Sequence, residues 1–504
     1  MEPQTLYYGD CLDWMRKWPS ECVDRIYLDP PFNSNTDYNI LFGTENNVPA
    51  QMRAFTDTWH WDDKAAERTE SILNAIGHPA HQVVSSLYAM LGNSGMLAYL
   101  TYMAERLVEM RRLLKPTGSL FLHCDPYASH YLKAVLDALF GKNSFRNEII
   151  WRRGKGATRT ASMQFPRNHD CILWYSISDN WHYDRQFRPY AKTTLDMYRH
   201  NDHDGKGSYR LQELRTYGKE TIERFRQENK IAKSSSGREY LKQYLSDKKG
   251  VAVDSVWDDI DGIAYGASKE RIGYPTQKPR ALLERILQAC SSPGDIILDP
   301  FTGCGTTIDA AERLGRQWVG IDISSFAIDL VQEYRLKPLG VTAHIEGIPA
   351  DLTAARRLAE LNRFDFESWA IYLVPGLVPN KSKTGDGGID GRGVMMMPPD
   401  NLDSKLVLAQ VKSGHFSLSQ FRDFIDVVGM EDAALGLFIT LEAVSTPDAR
   451  SLIARQGHVA VGAERYPRVN LWSIQDHFDQ RRPHVPPMLD PFTGKPMVQP
   501  GLPI

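Results

Sequence analysis

The chain has 504 residues, 42% hydrophobic and 24% charged, with a net charge of −3. This length exceeds one ordinary core, so two or three domains are expected, and the near-neutral balance excludes nucleic-acid binding by overall attraction, leaving local patches. No apolar run approaches the roughly 20 residues of a membrane span, the start MEPQTLYYGD lacks a signal-peptide pattern, and the six cysteines form no C-x-x-C pair, so a cytoplasmic protein with reduced thiols and no membrane partner is expected.

In chain order, short apolar runs alternate with helical patterns through the first third and again from about 280 to 335, which indicates an α/β sheet protein. RIYLD (25–29), SLFLHC (119–124), DIILD (295–299) and QWVGID (317–322) read as buried parallel strands. YLTYMAERLVEMRRLL (99–114) and ALLERILQAC (281–290) carry apolar positions three and four apart and read as helices packed on the sheet. Residues 1–150 and 266–336 are thus two halves separated by a polar, irregular insertion at 151–265. Within it, residues 151–200 hold nine Lys/Arg against four Asp/Glu, interleaved with Trp151, Trp174, Tyr175, Trp181, Tyr183 and Phe187. YRHNDHDG (198–205) reads as a polar loop. A Pro/Gly-punctuated boundary leads into a second periodic region at 351–475, and 476–504 reads as an extended proline-rich tail.

The segment DIILDPFTGCGTTIDA (295–310) places a strand end at Asp299, then Phe301, a glycine turn at Gly303 and Gly305, and a helix opening at Thr306 and Thr307. Such a turn lets the backbone approach a ligand closely. The next strand ends at Asp322, where an acid can accept both ribose hydroxyls of an adenosine ligand. Ile308 stands where a dinucleotide fingerprint needs its third glycine, so a cofactor without a pyrophosphate, S-adenosylmethionine, is expected. LDPFTG recurs at 489–494, but no glycine turn, helix or acid-bearing strand follows, so that copy builds no comparable pocket.

RIYLDPPFNSN (25–35) caps a predicted strand with Asp29, Pro30, Pro31 and Phe32. The prolines fix the backbone and remove N–H donors, leaving the Asp29 carboxylate and the Pro30 carbonyl as acceptors suited to an exocyclic amine. Hydrogen bonds to both would draw that nitrogen toward tetrahedral geometry as a methyl group arrives. Phe32 can stack on a base flipped from the duplex.

With these motifs the chain up to about 336 resembles the permuted, beta-class amino-methyltransferases of DNA. SLFLHCDPYASHYLKAVLDALFG and FRNEIIWRR resemble the modification subunits of type III restriction systems. The resemblance implies a Rossmann-like fold binding S-adenosylmethionine, with Asp10 at the cofactor's adenine and Thr276, Gln277 and Lys278 of GYPTQKP at its methionine end. It makes the insertion a target-recognition region for double-stranded DNA, with Arg152, Arg153, Lys155, Arg159 and Arg167 as candidate phosphate contacts. The Asp-first form of the catalytic motif favours adenine N6 over cytosine N4.

In the C-terminal region Asp390 follows a glycine-rich turn, and SKLVLAQVKSG (404–414) puts Gln410 and Lys412 on one face of a strand. With GDGGIDG and LGLFITLEAVSTPDAR the region resembles Mrr-like PD-(D/E)xK endonucleases. The resemblance implies a restriction-endonuclease-like α/β domain in which Asp390 and Gln410 hold Mg²⁺, Lys412 assists hydrolysis and Glu367 of FDFESWA is an outer metal ligand.

The expectation is a fused restriction–modification protein, serving phage defence. No G-x-x-x-x-G-K-[ST] loop is present, so translocation would need an ATP-dependent partner subunit, and cutting both strands would need a homodimer. The alternatives are a methyltransferase whose C-terminal domain binds DNA or a partner without cutting, and a non-enzymatic DNA-binding protein.

Overall fold

The computed structural model describes residues 1–30, 37–41, 51–56, 59–154, 165, 167–234, 236–263, 270–272, 274, 276–380, 388–396 and 404–489. They fall into two compact units, one made of residues 1–182 and 258–504 and the other of 183–257.

Among the described residues the first unit contains two large sheets, besides the two-stranded pairs of Asp37–Leu41 with Gln51–Thr56 and His458–Val461 with Glu464–Pro467. Strands of the first are β1 (Thr5–Tyr8), β2 (Val23–Leu28), β3 (Leu114–Cys124), β4 (Phe145–Arg152), β5 (His169–Ser176), β6 (Ile296–Asp299), β7 (Gln317–Asp322) and β8 (His344–Glu346). They lie side by side in the order β4-β5-β3-β2-β6-β7-β1-β8. Every residue of β1 and β2 is buried, as a parallel strand covered on both faces requires.

Helices α1 (Cys11–Lys17), α2 (Gly95–Leu113), α3 (Ser129–Phe140), α4 (Arg280–Cys290), α5 (Thr306–Arg313) and α6 (Ser325–Leu330) follow the strands. Ser94 caps α2, and the helix sinks Leu97, Leu100, Met103, Leu107 and Met110 into a cluster with Ile26, Leu120 and Leu298.

The four strands predicted in the first unit form where expected and pair in parallel. The sheet is nevertheless mixed, because β5 runs antiparallel to both β3 and β4. This moves the predicted boundary of the insertion: β4 crosses residue 150, β5 lies inside the predicted insertion, and the separate unit begins only at Tyr183. It also corrects the basic–aromatic patch. Trp151, Trp174 and Tyr175 are 2%, 6% and 0% exposed, because β4 and β5 turn them into the sheet's core, while Tyr183 and Phe187 remain exposed.

The unit 183–257 has a three-stranded antiparallel sheet of Ile231–Lys233, Glu239–Tyr244 and Tyr209–Glu213, with a helix at Lys219–Gln227. The 198–205 stretch is a polar loop as read, its Asp202 accepting from Tyr209 Oη at 2.6 Å and Lys242 Nζ at 2.5 Å.

The C-terminal sheet has strands β9 (Val378–Pro379), β10 (Gly391–Met396), β11 (Ser404–Lys412), β12 (Leu435–Thr440) and β13 (Val469–Ser473), adjacent in that order. The first three are antiparallel and the last three parallel. Helices α7 (Arg363–Tyr372) and α8 (Leu418–Met430) pack against it, with Phe421 and Phe424 meeting Phe438. The described part of the tail packs on this sheet: Leu489 N donates to Val394 O at 2.8 Å, Met488 bridges Met395, and Val485 and Met488 are buried. Residues 490–494 of the second LDPFTG lie outside the described residues. Among the described residues no helix is long and apolar enough to cross a membrane.

Candidate active site

Strands β2 and β6 are parallel neighbours, with Ile26 opposite Leu298. From β6 the chain moves to β7 on one side, and from β2 it moves to β3 on the other. The carboxyl ends at this switch of direction frame a crevice, the usual ligand position in an open α/β sheet. Asp29 and Asp299 stand there on adjacent strands. The two motifs, 270 residues apart in the chain, are neighbours because of this register.

The glycine turn has the geometry its letters predict. Gly303 and Gly305 adopt φ of +50° and +73°, and a Cβ on Gly305 would lie 2.6 Å from Val331 Cγ2, so only glycine fits there without strain. Asp322 accepts the Gly303 N–H at 2.7 Å and the Ser324 N–H at 2.9 Å, tying the end of β7 to the turn. Asp299 accepts the Phe301 N–H at 3.1 Å, and its backbone carbonyl takes the Thr302 hydroxyl at 2.9 Å. Burial pushes Asp299 up to about 7, offset in part by hydrogen bonds from Thr307 and the Phe301 backbone. Burial likewise raises Asp322 to about 6, against hydrogen bonds from the Ser324, Gly303 and Ile323 backbone. Two desolvated acids beside a tight glycine turn make a site that gains from a cationic or hydroxyl-bearing ligand. Next to Asp322, the Ile323 side chain is 59% exposed and offers an apolar face.

Lys278 joins the two motifs. Its Nζ donates to Asp29 Oδ2, and it lies 3.5 Å from the Thr276 carbonyl. Thr306 Oγ1 donates to the Lys278 carbonyl at 3.3 Å, fastening this segment to the first turn of α5. The other oxygen, Asp29 Oδ1, is buried and has no hydrogen-bond partner among the described residues. A buried acceptor left unmatched is costly unless a ligand satisfies it. Pro30 is buried beside it, whereas Pro31 and Phe32 lie outside the described residues.

Gln277 has both ends of its amide engaged within its own loop, donating to Glu270 O at 2.6 Å and accepting from Ile272 N at 2.9 Å. The structure therefore uses it to shape the loop. Asp10 caps α1 through Leu12 N at 2.8 Å and takes both oxygens to Arg106 Nη2 at 2.7 and 2.6 Å. Arg106 stacks 3.3 Å from the Tyr102 ring centroid and is buried. Sequence reasoning missed Arg106, which is one of several basic residues on an amphipathic helix. It missed Tyr274 as well: a Cβ on Gly303 would lie 3.4 Å from this ring. It also missed Arg335, whose Nε holds the Cys304 carbonyl at 3.0 Å from beneath the turn.

Of the predicted phosphate contacts, Arg152, Arg153 and Arg167 are exposed. Arg153 is 3.4 Å from buried Asp170. That carboxylate also meets His123 Nε2 at 3.1 Å, and His123 Nδ1 lies 2.8 Å from Tyr27 Oη. Lys155 and Arg159 lie outside the described residues. In the unit 183–257, Arg199 and His200 of the stretch read as a polar loop line a groove with Arg210 and Gln212, which the sequence did not single out.

In the C-terminal sheet, Asp390 Oδ2 accepts the Val411 N–H at 2.7 Å, which seats Asp390 against β11 beside Gln410. Gln410 Nε2 donates to Gly388 O at 2.5 Å, while its Oε1 is buried without a hydrogen-bond partner among the described residues. Lys412 lies two residues on along β11, on the same face by strand alternation. Glu367 is on α7 and takes Arg363 Nε at 2.7 Å. The orphaned amide oxygen next to Asp390 fits a hard cation, which prefers oxygen ligands.

The model of the DNA methylase family matches residues 23–333, more than half of the chain. The chain belongs to the DNA methylase family. The match spans both motifs of the crevice and the whole unit 183–257. The type II methyltransferase M.EcaI of Enterobacter cloacae is 30% identical over 261 residues, covering 47% of this chain and 57% of that protein. The type II methyltransferase M.BamHI of Bacillus amyloliquefaciens is 26% identical over 328 residues, covering 64% of this chain and 55% of that one. The chain thus spans a little over half the length of these curated relatives. The DNA modification methylase TTHA0409 of Thermus thermophilus, in its complex with S-adenosyl-L-methionine, is similar at 18% identity and a TM-score of 0.35, over 69% of this chain and 99% of that one.

Proposed function

We propose that this DNA methylase family member transfers a methyl group from S-adenosylmethionine to adenine N6 in double-stranded DNA at a specific site, after extrusion of the base. Asp29 carries the reading: it is a carboxylate at the sheet's switch point with one oxygen held by Lys278 and the other buried without a partner among the described residues, beside the glycine turn. When bound, S-adenosylmethionine supplies an electrophilic methyl. Asp299, Asp322 and the Gly303–Gly305 turn suit its ammonium and ribose groups. Asp29 Oδ1 and the Pro30 carbonyl accept the two N–H bonds of the amine, so positive charge developing on nitrogen is stabilised and a proton acceptor is in place. Lys278 holds Asp29 in register with the turn rather than with solvent.

Arg152 and Arg167 would fix the DNA backbone, and the groove with Arg210 and Gln212 would read bases. We further propose that the C-terminal sheet is a Mg²⁺-dependent endonuclease built on Asp390, Gln410, Lys412 and Glu367, so that the chain acts in restriction–modification. Gln410 Oε1, buried without a hydrogen-bond partner among the described residues, favours a cutting domain over a passive one.

Transfer of labelled methyl groups to DNA, followed by digestion and identification of the modified nucleoside, tests this reading. N6-methyladenine is expected, and Asp29→Ala should abolish transfer while retaining donor binding. Labelled N4-methylcytosine, or transfer that survives Asp29→Ala, would overturn it.

A further inference from the structure

The rim of the crevice beside Asp322 is not built by the methylase motifs alone. Ser324, two residues beyond Asp322, caps α6 by accepting from Ala327 N. Helix α7, from the C-terminal region, packs on α6. Its last residue, Tyr372, hydrogen-bonds to the Ser324 side chain. Tyr372 is also close enough to Asp322, Tyr274 and Tyr8 to interact electrostatically with each. At the other end of the same helix, Tyr8 Oη donates to the Asp365 carbonyl at 3.3 Å. Residues 365 and 372 are seven apart, two turns along a helix, and so share one face. That face meets the ends of β1 and β7.

A different face of α7 belongs to the C-terminal sheet. A Cβ on Gly391 would lie 2.6 Å from Ile371 Cδ1, so the helix sits directly on β10 one residue after Asp390. Glu367 projects from this helix too. Its sequence, RFDFESWAIY, contains no glycine or proline to let it bend. One short, stiff helix therefore touches the methyl-donor crevice at one end and carries a candidate residue of the nuclease site in its middle.

We infer that α7 is a wall of the methyl-donor pocket, with Tyr372 a positioning residue that locks it over Asp322, so that donor occupancy and the seating of the C-terminal sheet are linked. The inference rests on the crevice being the donor site. Linkage of this kind is reciprocal: whatever steadies α7 tightens donor binding, and bound donor steadies α7.

Hydrogen exchange on the full chain, with and without S-adenosylhomocysteine, tests both layers. Slower exchange is expected at 299–307 and at 363–372 together. Protection of 299–307 with 363–372 unchanged would sink the inference and leave the donor site standing, whereas no protection at either segment would overturn both. Calorimetric binding of S-adenosylhomocysteine supplies a second arm that needs no drastic change. Tyr372→Phe removes the hydrogen bond to Ser324 and should weaken binding roughly fivefold; Ser324→Ala removes it too, together with the N-cap of α6, and should weaken binding at least as much. The double variant should be no worse than Ser324→Ala alone, because the bond is already lost there. Unchanged affinity in both single variants, or effects that multiply in the double, would refute the lock.

Discussion

Asp299→Asn isolates the energetic tension in the crevice. Burial raises this carboxyl from an ordinary 3.8 to about 7. Between those values the folded protein binds a proton that the unfolded chain has released. Stability therefore falls as pH rises through this window, and above pH 7 the penalty is complete. At about 1.4 kcal/mol per unit, the full three-unit shift corresponds to roughly 4 kcal/mol. Asparagine keeps an oxygen to accept the Phe301 N–H but cannot ionise, so the variant escapes the penalty. Its advantage over the wild type should grow by about 2 kcal/mol between about pH 5.5 and pH 8, and then level off. Urea unfolding of the ligand-free protein at a series of pH values measures this directly. In the same variant donor binding should weaken at pH 8, because a carboxylate that a cationic ligand could neutralise has been removed. Parallel stability curves for variant and wild type across this range would refute the reasoning.

Gly305→Ala forces a side chain into a left-handed turn against Val331 and should lower stability by more than about 1 kcal/mol, read as a lower unfolding midpoint; a neutral change would mean the turn is not rigid. Asp390→Ala should remove Mg²⁺-dependent cutting of unmethylated DNA and leave methyl transfer intact, and equal cutting by both proteins on a gel would eliminate Asp390 as a metal ligand. Removing exposed Arg152 and Arg167 together should flatten the dependence of log K on log salt by about 2, with the loss spread evenly over DNA sequences; an unchanged slope in a binding titration places the phosphates elsewhere.

The reach of the sequence follows from how local each feature is. Strand 25–29, helix 281–290 and the turn at 299–305 are set by runs of neighbouring residues: side-chain period, glycines where φ must be positive, an acid at a strand's end. These were legible in the sequence. The basic–aromatic patch misled because a tryptophan on a buried antiparallel strand and one on an exposed DNA-binding surface look the same until the strand's neighbours are known. Trp151 and Trp174 were decided by strand pairing, Trp151 opposite Asp170 and Trp174 between Phe121 and Asn147.

From the amino-acid sequence alone came the identity of the acids, the glycine turn, the order of motifs and the presence of a second periodic region after residue 350, because each is a pattern within a few dozen residues. Tertiary structure decided that Lys278 would meet Asp29 across 249 positions, that buried Arg106 would hold Asp10, and that α7 would bridge two sheets. Those contacts depend on which strands lie side by side, and strand order is a property of the whole chain's packing that no local periodicity encodes.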